Sequence, residues 1–143
     1  FDGGIEIEHD GGEITADLTG GFPAYTTVHS DGGKVTIEGA AGRLDLHTDG
    51  DTAVSVQAWS DQDGAIIVDY GNLDMILPLG SDGSVTALAG EKGEVRAPHP
   101  MPDDWAEAVD ADNAKSYTFG DGSGATVQLV ADSWNGSISL EQS

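Results

Sequence analysis

Three short segments of the chain combine a histidine with an aspartate–glycine pair. They read His9-Asp10-Gly11-Gly12, His29-Ser30-Asp31-Gly32-Gly33 and His47-Thr48-Asp49-Gly50-Asp51. Neutral imidazole is a ligand for zinc, copper or nickel, and carboxylates complete such sites. Because the segments recur about every twenty residues, stacked strands would bring them to one edge. The spacing predicts a divalent-metal site formed by His9, His29, His47, Asp31 and Asp49. A second interpretation stays open, in which Asp-Gly only makes the turn and the histidine faces water.

Other cofactor and enzyme signals are weak. Asp110-Ala111-Asp112 begins like a calcium-binding loop, but Lys115 stands where such a loop requires glycine. Gly120–Gly124 lacks the spacing of a serine nucleophile elbow, and no Gly-Lys-Ser/Thr phosphate loop occurs. We therefore expect no catalytic residues and no cofactor other than the divalent cation.

The charge restricts the class of partner. The 143 residues include 26 acidic and 5 basic side chains, for a formal net charge of -21. Nucleic acids and anionic membrane surfaces are bound through Lys and Arg, so this charge argues against both. It fits high salt, divalent cations or basic partners. The chain has no Cys, and no apolar run approaches the roughly 18 residues of a membrane helix.

The elements that would position these residues are short strands. Apolar and polar residues alternate in sets beginning at Ile5, Ile14, Val35, Leu44, Val54, Leu73, Val85, Val95, Ala125 and Ile138. Period-two alternation indicates strands with one buried face. Turn signals separate them at Asp10-Gly11-Gly12, Asp31-Gly32-Gly33, Asp49-Gly50, Asp63-Gly64, Asp82-Gly83 and Asn135-Gly136.

The spacing of these strands predicts the fold class. Units too thin to bury a face alone must stack, which favours an all-β, short-strand, right-handed β-solenoid or β-helix-like stack. The alternative is a β-sandwich. We expect one domain over 1–143 with an irregular insertion at about 98–114. Pro102 would begin a short helix there, with Trp105, Ala106 and Val109 facing inward.

Several runs resemble one known family. They are Gly71–Pro78, which ends in Leu-Pro, the run Val85–Val95 with its Gly-Glu-Lys-Gly segment, Phe119–Val130, and the closing Asn135–Leu140. In this order they resemble the adhesin family of bacterial and archaeal β-solenoid domains of unknown function, over about Gly33 to Gln142. The resemblance implies an exported domain, extracellular or in the cell envelope, and supplies no catalytic residues.

The sequence and the resemblance together predict a function. We expect a non-catalytic cell-surface or envelope module for adhesion, scaffolding or partner display, acting on a protein or glycan. Exposed strand edges favour self-association, and no direct membrane insertion is expected. Because the chain starts at Phe1 without Met, we expect a mature or excised domain. The alternative is a carbohydrate-binding or glycan-processing domain, for which Trp59 and Trp134 near turns would supply sugar-stacking surfaces.

Overall fold

A computed structural model describes most of the chain. The described residues are 5–18, 25–57, 62–78, 82–98, 105–111, 113–120, 122 and 124–142. Within them the structure is all-β, as the alternation predicts. None of these residues belongs to a helix long and apolar enough to cross a membrane.

The described residues form fourteen strands in two sheets. They are β1 Ile5–His9, β2 Ile14–Asp17, β3 Tyr25–Ser30, β4 Val35–Ala40, β5 Arg43–Thr48, β6 Thr52–Val56, β7 Gly64–Val68, β8 Leu73–Leu77, β9 Gly83–Leu88, β10 Val95–Arg96, β11 Trp105–Ala111, β12 Ala114–Phe119, β13 Thr126–Ala131 and β14 Ile138–Gln142. Sheet A has the order β1-β3-β5-β7-β13-β9-β12-β11, and sheet B has the order β10-β14-β8-β6-β4-β2.

From β1 to β10, and again from β13 to β14, the chain alternates between sheet A and sheet B. A strand of sheet A and the following strand of sheet B, such as β3 and β4, form a two-strand unit. Equivalent strands of neighbouring units pair in parallel, as β3 does with β5 and β4 with β6. The Asp-Gly turns therefore join strands of different sheets, and not the antiparallel hairpins that such turns often make. We call the side on which sheet A strands end and sheet B strands begin the turn edge.

The last unit lies between two earlier ones. Strand β13 pairs in parallel with both β7 and β9. Its continuation β14 pairs in parallel with both β8 and β10. The chain thus leaves a space of one unit between β7–β8 and β9–β10, and its final strands fill that space.

The predicted helix in the insertion is absent, so this prediction is wrong. Residues Trp105–Ala111 form β11, which pairs antiparallel with β12, and β12 pairs antiparallel with β9. Trp105 is buried, as predicted, and its ring lies 5.3 Å from that of Phe119 and 5.7 Å from that of Tyr117. Burial of this aromatic cluster favours a flat strand at the edge of sheet A over a helix. Residues 99–104, including Pro102, lie outside the described part.

One apolar core joins the two sheets. This core contains Val28, Leu46 and Leu129 from sheet A and Ile37 and Leu140 from sheet B, and each of these side chains is at most 1% exposed. Two buried threonines of this interior are hydrogen-bonded. The hydroxyls of Thr48 and Thr52 lie 2.7 Å apart across one turn, and Thr52 also donates to the carbonyl of Gly50.

The turns stack as closely as the strands. A Cβ on Gly33 would lie 1.7 Å from the carbonyl oxygen of Gly12, and one on Gly50 would lie 2.0 Å from that of Gly33. Gly33 also has a φ of 85°, as its predicted turn role requires. At Gly50 the close approach of the neighbouring turn is the reason for glycine.

Candidate functional site: the acidic turn edge

Five aspartates follow five neighbouring strands of sheet A. We call them the aspartate row, and they are Asp10, Asp31, Asp49, Asp69 and Asp132. The residues directly before them share one register position, because His9 pairs with Ser30, Ser30 with Thr48, Thr48 with Val68, and Val68 with Ala131.

The register continues into the row itself. The N–H of Asp49 donates to the carbonyl of Ser30, that of Asp69 to Thr48, and that of Asp132 to Val68. Since neighbouring strands lie roughly 4.8 Å apart, the row is about 19 Å long. Asp49 and Asp69 are half-buried and the other three are exposed. The parallel pairing therefore holds five carboxylates in one line at the turn edge.

A second line of polar side chains anchors the same turns. The side-chain oxygen of Asp51 accepts a hydrogen bond from the backbone N–H of Asn72. The side-chain oxygen of Asn72 accepts one from the N–H of Ser137, and the hydroxyl of Ser137 accepts one from the N–H of Glu94. These residues stand immediately before β6, β8, β14 and β10. Each bond connects one unit to the next, which fixes the turns on which the aspartate row depends.

One point in the row brings a histidine beside two carboxylates. His47 Nε2 lies 2.7 Å from Asp69 Oδ2. One ligand-type atom from each of His47, Asp49 and Asp69 lies within 4.8 Å of the others. Mixed imidazole and carboxylate groups at this separation are a donor set for a divalent transition metal. The ring of His29 lies 6.4 Å from that of His47, in an edge-on arrangement.

The electrostatics of this cluster favour a positive occupant. Partial burial, a hydrogen bond that the protonated Asp49 carboxyl donates to Asp69, and the charges of Asp69 and Asp31 raise the pKa of Asp49 above its usual value, while the charge of His47 acts in the opposite direction. All five Lys and Arg residues are in the described part of the chain, and none of them forms an ion pair with the row. Within the described residues, His47 is therefore the basic side chain that contacts the row.

The structure brings some of the predicted metal residues together. His29 pairs in register with His47, so these two side chains neighbour each other on sheet A. Asp49 joins His47 in the cluster, and Asp31 is close enough to Asp49 to act on its ionisation.

His9 has a different position from the one the spacing suggested. It pairs with Ser30, while Glu8 occupies the register position of His29 and His47. The backbone of His9 is therefore one residue out of step with the other two histidines. The side chain of His9 lies outside the described part of the structure.

Asp69 is the member of the cluster that sequence reasoning missed. It follows β7, whose Ala-Ile-Ile-Val run shows no alternation and was not predicted as a strand. The sequence does contain one signal that could have identified Asp69, which is its position directly after an apolar run, like that of Asp132.

Two aromatic side chains are exposed beside the row. Tyr70, which directly follows Asp69, is 71% exposed, and Trp134, two residues after Asp132, is 56% exposed. Their turns belong to neighbouring units and are joined by the hydrogen bond between Ser137 and Asn72. Trp59, the other predicted aromatic, lies outside the described residues.

Comparison with known proteins gives no match: no family model matches the chain, and no match was found among curated proteins or solved structures.

Proposed function

We propose that this chain is a non-catalytic module of the cell surface or envelope that binds a basic protein partner through the aspartate row. Its architecture in this proposal is a right-handed β-solenoid like that of the adhesin family it resembles. Two mostly parallel sheets built from repeating units support this architecture. Exported location and adhesion follow from the resemblance and from the acidic composition.

The aspartate row is the observation that carries the proposal. Five carboxylates at strand spacing concentrate negative potential along one line, and the hydrogen bonds between turns keep that line rigid. A rigid array of one sign loses little conformational entropy when a partner of opposite charge binds. The row therefore suits recognition of a cationic surface.

A binding experiment with matched charge tests this role. The probe is an oligolysine peptide at 0.15 M NaCl. The row variant carries Asp10→Asn, Asp31→Asn and Asp132→Asn, which leaves the histidine cluster in place. The control variant carries Glu38→Gln, Asp74→Asn and Glu141→Gln, which are exposed strand residues of sheet B. Both remove three negative charges, so the two variants have the same net charge and differ in where the charges are removed.

The row variant should bind about tenfold more weakly, since three exposed charge contacts together contribute about 1.4 kcal/mol. The control should bind within about twofold of the unmodified chain. Equal loss in both variants would show that only net charge matters and would overturn the role of the row. Cleavage of any polymer offered to the protein would overturn the non-catalytic part.

Glycan binding is the second candidate, and the exposed pair Tyr70 and Trp134 favours it. Aromatic faces on neighbouring turns offer stacking surfaces for sugar rings. Binding to a defined sugar on a glycan array, lost in Trp134→Ala and retained in the row variant, would select this candidate over the first.

A further inference from the structure

We propose that His47, Asp49 and Asp69 form a binding site for one zinc-class divalent ion that links two neighbouring units of the stack. This inference goes beyond the partner-binding role and does not depend on it. The site uses a side chain of β5, a side chain of the turn after β5, and one of the turn after β7.

Only small side-chain movements are needed to bring the three ligand atoms to zinc-binding distance. Zinc binds His nitrogen and carboxylate oxygen at about 2.0 to 2.2 Å, so ligand atoms around it stand roughly 3 to 3.5 Å apart. The three candidate atoms already lie within 4.8 Å of one another. His47 is 52% exposed and Asp69 33% exposed, so an ion can enter from solvent.

The ligand types select the class of ion. Calcium and magnesium bind oxygen almost exclusively, and they would leave His47 unused. An imidazole with two carboxylates suits zinc and its neighbours in the transition series. Three protein ligands also leave a fourth position, which water or the neighbouring His29 would fill.

The charge of the site gives the ion a stabilising effect. Asp49 and Asp69 stand in register on adjacent turns and repel each other, and Asp31 adds to the repulsion at Asp49. A divalent cation neutralises two of these carboxylates while linking the units that carry them. Because the ion binds the folded chain, it must raise the stability of the fold.

Calorimetry with Zn²⁺ on the full chain tests the site. We expect one ion per chain, a higher melting temperature with Zn²⁺ than with chelator, and at least about tenfold weaker binding in His47→Ala and in Asp69→Asn. Asp74→Asn is the matched control, since it removes one exposed charge from sheet B and should leave the affinity unchanged.

The outcomes separate the alternatives. Ca²⁺ serves as a second probe, and its binding should not depend on His47. Co²⁺ in place of Zn²⁺ should give d–d absorption that His47→Ala removes. Circular dichroism in chelator checks that each variant is folded. No binding at 1 mM Zn²⁺, or equal binding by all folded variants, would overturn the proposal, and neither result bears on the oligolysine experiment.

Discussion

Asp49 is the residue at which the turn edge is under the most electrostatic stress. The residue is half-buried, the charges of Asp31 and Asp69 act on its carboxyl, and among the described residues His47 is the group that acts in the opposite direction. Residues of one charge are normally separated in a fold, because like charges on adjacent strands are destabilising. The parallel register brings them together here, so the cost is a consequence of the stack.

The pH dependence of stability should reveal this cost. Because the pKa of Asp49 is raised in the folded state, its penalty is present above the folded pKa. The penalty is lost as pH falls through the folded pKa toward the ordinary aspartate value of about 3.9. In chelator, Asp49→Asn should therefore be more stable than the unmodified chain at pH 7, and the difference should shrink toward pH 4.

Urea unfolding across this pH range measures the effect. Asp74→Asn is the control for the change in net charge, since it lies exposed on sheet B. A constant difference between the Asp49 and Asp74 variants at every pH would show that the titration of Asp49 does not contribute.

Among the elements, strand prediction succeeded where inward residues are apolar. Ile37 in β4, Leu46 in β5 and Leu140 in β14 all belong to predicted strands and are buried. Alternation shows which face of a strand is buried, and it does so from local sequence alone.

Besides β11, which was predicted as a helix, two strands escaped prediction for opposite reasons. Strand β3 directs Thr26, Val28 and Ser30 inward, so its buried face is mostly polar. Thr26 donates to the carbonyl of Ala41 and Ser30 to that of Gly32, bonds that local sequence does not show. Strand β7 has apolar residues on both faces, which hides its period, and with it Asp69 was missed.

The candidate site was therefore only partly predictable. The similar spacing of the His-Asp-Gly segments predicted that His29 and His47 would be neighbours, and the two residues do pair in register. The one-residue offset of His9 depends on the length of the turns between strands, which spacing alone does not determine. The order of units was also not predictable, because nothing local indicates that β13 fills a space beside β7.

The inserted unit should form last during folding. Strand β13 must find β7 and β9, whose contacts lie 63 and 42 residues away, as in the bonds of Thr126 to Asp63 and to Ser84. Leu129→Ala in β13 and Leu46→Ala in β5 both truncate a buried leucine and should each cost about 3 kcal/mol. Their kinetic effects should differ, with φ near 0 for Leu129 and above about 0.5 for Leu46.

Stopped-flow folding and unfolding of the two variants measures these φ values. The leucines are matched in type and burial, so the comparison isolates position in the stack. A high φ at Leu129 would mean that the final strands take part in the folding nucleus, contrary to this expectation.

For the whole molecule, net charge is the dominant long-range effect. A charge of -21 on 143 residues opposes compaction through self-repulsion. Salt screens this repulsion, and the Debye length falls from about 30 Å at 0.01 M to about 3 Å at 1 M. We expect the melting temperature to rise by about 5 °C or more between 0.01 M and 1 M NaCl.

Thermal unfolding monitored by circular dichroism measures this response, with chelator present to exclude metal binding. Most of the rise should occur below about 0.3 M, where screening changes most. A melting temperature independent of NaCl would contradict the expectation. A continued linear rise to 1 M would indicate an effect of salt on apolar burial instead.

The two ends of the molecule differ, and this limits how copies can associate. At one end sheet A finishes in the antiparallel β11–β12 hairpin and sheet B in the two-residue strand β10, while the other end presents the parallel edge strands β1 and β2. A filament grows head to tail and requires complementary ends. The edge strand β11 runs in the same direction as β1, because its two antiparallel steps from β9 cancel. Sheet A extends two strands beyond β9, however, while sheet B ends at β10. A second copy cannot continue both sheets at once at that end, so we expect any head-to-tail association to extend sheet A alone.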